Sequence, residues 1–122
     1  MSRIMIVEDE VILTMAIQQT LESAGFEVTP PVLSGEEAIS RVQSDKPDLI
    51  VMDVTLQGEL DGIETTELIL KKHDIPVIIT TAHSDPSMTD RISKCGSRGF
   101  LLKPVNFKEM VGLIRDILDN KE

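Results

Sequence analysis

Asp48-Leu49-Ile50-Val51-Met52-Asp53 is an unbroken apolar run that ends on a carboxylate. A short continuous run rich in branched side chains reads as a strand buried on both faces, and its last residue is delivered to the edge of a sheet. Three other runs end in the same manner. Ile4-Met5-Ile6-Val7 leads into Glu8-Asp9-Glu10, Val77-Ile78-Ile79 into Thr80-Thr81, and Gly99-Phe100-Leu101-Leu102 into Lys103-Pro104. Strands of this kind build parallel sheets covered on both sides, in which ligands bind beyond the carboxyl ends. Acids, hydroxyls and one lysine therefore converge on the single edge where such an architecture does chemistry.

The segments between these runs are helical in pattern. Residues 10–24 carry Leu13, Ile17, Leu21 and Ala24 at helical spacing, with Gly25 as a stop. A second strand is expected at 26–29, before Pro30-Pro31. Ser34-Gly35-Glu36-Glu37 resembles a capping box opening a helix through Ala38, Ile39 and Val42, closed by Lys46-Pro47. Gly58 and Asp61-Gly62 mark a loop, and 63–73 is expected as the third helix. Residues 84–95 form a weaker helix with Pro86 near its start and Gly96 as a stop. Asn106 and Glu109 suit the start of the last, whose face is Phe107, Met110, Val111, Ile114 and Leu118. About five β-α units imply an α/β, flavodoxin-like doubly wound (βα)5 parallel sheet, strand order 2-1-3-4-5. Residues 1–122 make one domain.

Composition narrows the function. The 122 residues hold 41% hydrophobic and 27% charged side chains, ordinary for a folded globular chain. Twelve Lys and Arg against twenty-one Asp and Glu leave a net charge of −9, which argues against direct nucleic-acid binding and for a cation or a basic protein surface. Cys95 is the only cysteine, so no internal disulfide forms and a reducing compartment is expected. Met1-Ser2-Arg3 leads into too short an apolar run for a signal or membrane segment. The expected location is cytoplasmic, without membrane contact.

Order 2-1-3-4-5 sets strands 1 and 3 side by side, so Glu8, Asp9 and Asp53 share one pocket. Their mutual repulsion is relieved by a hard divalent cation, and Mg2+ takes one or two protein carboxylates together with waters and a phosphoryl oxygen. Thr81 and Lys103 approach from the other flank. A carboxylate that attacks phosphorus forms an acyl phosphate, whose equatorial oxygens need neutralising, a task for Mg2+ and Lys103. The Thr81 hydroxyl can donate to a phosphoryl oxygen only after transfer, which suits it to report the event.

Taken together, these positions resemble, from end to end, the receiver domain of two-component response regulators. Glu8-Asp9 resembles the family's acidic metal pair, Asp53 its phosphoacceptor, Thr81-Ala82 its switch hydroxyl and small neighbour, Phe100 its switch aromatic, and Lys103-Pro104 its lysine with a cis-proline. The resemblance implies a regulator that accepts a phosphoryl group on Asp53 from the phosphohistidine of a histidine kinase or phosphotransfer protein. Mg2+ would be held by Glu8, Asp9, Asp53 and the backbone carbonyl of Thr55. Such a domain catalyses only its own phosphorylation and dephosphorylation. Its output passes through the face of helix 4, strand 5 and helix 5 to a downstream effector protein or domain, with room for a phosphorylation-dependent dimer. Whether the domain stands alone or belongs to a larger protein is left open, as are the kinase and the signal.

The chain departs from the family pattern at three places. The loop from Val54 to Gly62 is one residue longer than usual and lacks the frequent proline. Glu8 stands where aspartate is common, and its extra methylene favours a water-mediated contact. Phe100 replaces tyrosine and gains no hydroxyl hydrogen bond on burial. Simpler roles compete at single positions: Phe100 as plain core, Glu10 as a helix-start acid outside the site, His73 as a helix-end cation, His83 as a loop residue, Cys95 and the methionines as core.

Three other functions fit less well. A phosphate-ester hydrolase with a strand-1 nucleophile would show an Asp-x-Asp pair and a cap. A flavin or nucleotide module would want a Gly-rich first loop and stacking rings, whereas this loop is acidic and Trp and Tyr are absent. A pseudo-receiver acting as a phosphorylation-independent interaction module would not need the whole site set.

Overall fold

The computed structural model describes residues 1–120, five strands and five helices in alternation. They are β1 (Arg3–Val7), α1 (Val11–Ser23), β2 (Glu27–Val28), α2 (Gly35–Asp45), β3 (Leu49–Asp53), α3 (Gly62–Leu70), β4 (Val77–Thr81), α4 (Pro86–Lys94), β5 (Gly99–Leu102) and α5 (Phe107–Asp119). All strand pairings are parallel and the order is β2-β1-β3-β4-β5, as the alternation implied.

The apolar runs are continuous because the sheet has two cores. Met5, Val7, Ile50, Met52, Val77 and Ile79 pack against Ala38 and Val42 of α2, Ile63 and Ile69 of α3, and Ile92 of α4. Their neighbours Ile4, Ile6, Leu49, Val51 and Ile78 point the other way, onto Ile17 and Leu21 of α1 and Met110 and Ile114 of α5. Alternate residues of a strand serve opposite faces, so a slip of one residue would exchange the two sets. Register is thereby tightly specified, and with it the height at which each strand releases its last side chain.

Helix starts follow side-chain chemistry. The Asp85 carboxylate accepts from the Met88 N–H ahead of Pro86 in the first turn of α4, and Asn106 accepts from the Glu109 N–H at α5. At α2 the anticipated capping box is half made. Ser34 accepts from the Glu37 N–H at 3.1 Å, but the Glu37 carboxylate takes the Leu33 N–H at 3.0 Å instead of returning to Ser34. The complete box lies at α3, where Asp61 and Glu64 satisfy each other's backbone N–H groups.

Some expected bounds shift. Strand β2 covers only Glu27–Val28, because Pro30-Pro31 cannot donate to a ladder. Past the prolines, Val32 bridges Val7 and its carbonyl accepts the Glu8 N–H at 3.0 Å. Helix α3 stops at Leu70, short of His73; the Lys72 and His73 N–H groups both turn back to the Ile69 carbonyl, and Pro76 holds Ile75 extended. Among the methionines, Met5, Met52 and Met110 are core, whereas Met1 and Met15 are exposed, Met15 on the solvent side of α1. Cys95 is buried beside Ile92, as expected of a small hydrophobe.

Candidate functional site

Register builds the site. Val7 pairs with Met52, so the residues that follow them, Glu8 and Asp53, emerge side by side. Both are buried, at 2% and 3% exposure. Asp9 joins them at the surface, and one carboxylate oxygen from each of the three lies within 4.8 Å of the others. Strand β5 ends beside Thr81 of β4, and Lys103, one residue further, reaches back across the sheet edge. Its Nζ lies 3.1 Å from Asp53 Oδ2 and 3.2 Å from Glu8 Oε1. The Lys103–Pro104 peptide bond is cis.

Three carboxylates share one partly buried lysine, an uncompensated excess of negative charge. Burial pushes the Glu8 carboxyl up from 4.5 to about 7; the Glu10 N–H, which donates to Glu8, opposes this, the Asp53 charge adds to it and Lys103 subtracts. For Lys103, burial works downward, but hydrogen bonding and charge from Asp53, then Glu8, outweigh it and hold the ammonium above its usual value. Hard oxygen donors gathered this closely, two of them buried and short of positive charge, are the donor set that a small divalent cation such as Mg2+ would take.

Not every expected residue reaches the acids. Thr81 is buried at the same edge, but its hydroxyl is taken up by the turn after β4, donating to the His83 carbonyl (3.2 Å) and accepting the His83 N–H (3.0 Å). Phe100 belongs to neither core and is 42% exposed, so the plain core role does not hold. Thr55 is exposed in the β3–α3 loop, on an open cavity of about 360 Å3 with His83 and Met88. Glu10, set aside as a helix-start acid, makes no side-chain cap and brings its carboxylate to 3.8 Å from Lys103. Sequence reading also passed over two braces of that loop. Glu36 Oε2 accepts the Glu59 N–H at 3.0 Å, and Asp61 Oδ2 pairs with Arg91 of α4 at 2.8 Å. Asp61-x-x-Glu64 before Leu68 and Ile69 was a legible capping signal; nothing local marked Glu36 or Arg91.

Nearly the whole chain, residues 4–115, matches the family pattern described as response regulator receiver domain. The chain belongs to that family. As a receiver of the two-component type it is 30% identical over 112 residues to the transcriptional regulatory protein PdtaR of Mycobacterium tuberculosis, covering 92% of this chain and 54% of that protein. It is 28% identical to the chemotaxis protein CheY of Thermotoga maritima, over 94% of this chain and 96% of that one. The Francisella response regulator 1452 receiver domain shares its fold, with a TM-score of 0.92 at 24% identity over the full length of both chains. The receiver spans about half the length of the first curated relatives it matches. Among the described residues, no helix is long and apolar enough to cross a membrane.

Proposed function

We propose that this receiver takes a phosphoryl group onto Asp53 from a phosphohistidine of a histidine kinase or phosphotransfer protein, in a Mg2+-dependent reaction, and so controls a downstream effector protein or domain. The observation that carries the reading is the Asp53 carboxylate, 3% exposed and 3.1 Å from Lys103, inside a cluster of acids with too little positive charge of its own. An Asp53 oxygen attacks phosphorus, the bond from phosphorus to the donor nitrogen breaks, and the electron pair leaves with the imidazole. Lys103, already in contact with Asp53, stays beside the developing negative oxygens. Glu8, Asp9, Asp53 and the Thr55 carbonyl would hold Mg2+, which supplies charge neutralisation when bound. The domain assists only its own phosphorylation and dephosphorylation. Thr81 and Phe100 relay the change to the face of α4, β5 and α5. Support for that face comes from α4, in which Ile92 is the one buried residue. A cytoplasmic setting follows from the family's partners.

Intact mass after incubation with acetyl phosphate and Mg2+ tests the reading. The wild type gains one phosphoryl group, and Asp53→Asn gains none. A persistent adduct in Asp53→Asn removes the assignment, and a wild type that takes up no phosphoryl group favours an interaction module that works unphosphorylated.

A further inference from the structure

The loop between β3 and α3 is the long one, and its tip is not held by its own side chains. At its base the Val54 N–H donates to the Thr80 carbonyl (3.0 Å) and the Gly62 N–H to the Val54 carbonyl (2.7 Å). Midway, Gln57 bridges Ser34 at the entrance to α2. Beyond that point the chain turns through Gly58, at φ +90°, and meets the first turn of α2, where Glu36 Oε2 accepts the Glu59 N–H at 3.0 Å. Gly58 suits that turn through its backbone, and its missing Cβ leaves room for the Glu36 carboxylate. Its φ lies in the left-handed region, and a Cβ would stand 2.6 Å from Glu36 Oε1. The carboxylate thus touches the loop backbone while remaining exposed to water. Hydrogen bonds from backbone N–H groups, chiefly those of Glu36 and Glu59, hold its pKa below the usual carboxylate range, so it remains an ionised acceptor.

We infer that Glu36 is a positioning residue for the metal site: by gripping the loop tip from α2, it steadies the loop that carries Thr55, whose carbonyl is the backbone ligand of the proposed Mg2+ site. The inference rests on the proposed Mg2+ reading. Leu56 packs on the core and Gln57 bridges Ser34, so without the grip the slack lies between Gln57 and the Asp61 cap; passed back along the chain to Thr55, it leaves a carbonyl that must be ordered further each time a cation binds. Side chains that orient metal ligands commonly account for a tenfold or larger part of metal affinity. For an exposed carboxylate acting on one backbone ligand, roughly threefold is expected.

Glu36→Ala and Glu36→Gln separate the grip from the mere charge. Amide exchange is measured in the metal-free protein, and Mg2+ affinity by calorimetric titration. Glu36→Ala should speed exchange at the Glu59 and Leu60 amides and weaken Mg2+ binding roughly threefold. Glu36→Gln loses the charge but keeps an acceptor oxygen, and should stay near the wild type in both measurements. Equal weakening in Gln and Ala would assign the effect to long-range charge and overturn the inference. So would unchanged affinity in Glu36→Ala. A wild type that binds no Mg2+ instead overturns the metal reading beneath it, which the loop exchange data, independent of metal, keep distinct.

Discussion

Replacing Glu8 by glutamine should make the metal-free protein more stable at neutral pH and flatten its response to pH. The Glu8 carboxyl is raised from 4.5 to about 7, first by burial. Below about pH 4.5 it is protonated in both folded and unfolded chains and contributes no difference. As pH rises from about 4.5 to about 7, the unfolded chain releases the proton while the folded chain retains it, so stability falls; above about 7 both are ionised and the loss is complete. At about 1.4 kcal/mol per tenfold in proton affinity, the whole loss is on the order of 3 kcal/mol, most of it between about pH 5 and about pH 8. Solvent screening removes little of this, since the residue is only 2% exposed. Against a total stability of roughly 5–15 kcal/mol, the effect is readily measured. Denaturant unfolding with a chelator present, on wild type and Glu8→Gln across that window, isolates it, because the other titrating groups are common to both proteins. The wild type should lose roughly 2–3 kcal/mol relative to the variant as pH rises. Parallel pH profiles would refute the claim that burial holds Glu8 partly protonated.

Gly62 begins α3 directly against the Asp53 carbonyl, which a Cβ at this position would strike, with Met52 Cγ also at 3.0 Å. Backbone cannot give way as a side-chain tip can, so Gly62→Ala should cost about 1–3 kcal/mol and displace Asp53; an unchanged melting temperature would show that the approach is not tight. Arg91 ties α4 to Asp61 across a partly exposed pair, 44% and 29% by side chain. Arg91→Gln should therefore change global stability by less than about 1 kcal/mol while speeding amide exchange within α4 up to about fivefold, and unaltered α4 protection would remove the pair as a tether.

The fold was legible because the apolar runs are continuous and the helices between them are periodic. Those two patterns admit few arrangements other than a parallel sheet covered on both faces, and β3 and β4 are indeed buried at every position. Strand ends then placed Glu8, Asp53 and Lys103 together, because register in a parallel sheet is arithmetic on the run lengths. What sequence could not supply was orientation beyond the strands. Glu10 lies in a polar loop where periodicity carries no information, yet its carboxylate turns back toward Lys103. Glu36 and Glu59 stand 23 positions apart and meet only because the long loop folds over α2. The Thr81 hydroxyl lay at the predicted edge, but its partner before any phosphoryl transfer was not legible, since a backbone turn two residues on offers the nearest donor and acceptor.

That partner bears on how the proposed switch could work. For Thr81 to reach a phosphoryl group on Asp53, its hydroxyl must leave both the His83 N–H and the His83 carbonyl. Two neutral hydrogen bonds contribute about 0.5–1.5 kcal/mol each, and one bond to a charged oxygen about 1.5–3. The exchange is thus nearly balanced, with a bias on the order of 1 kcal/mol, about fivefold in population. A resting structure with Thr81 turned away and Phe100 outside is what such a balance allows before phosphorylation. The turn being surrendered runs directly into the Asp85 cap of α4, so its rearrangement acts at the start of that helix. Ile92, Cys95, the partly buried Met88 and the Arg91–Asp61 pair hold α4 in place, and a bias of this size is enough to move an element so lightly tied.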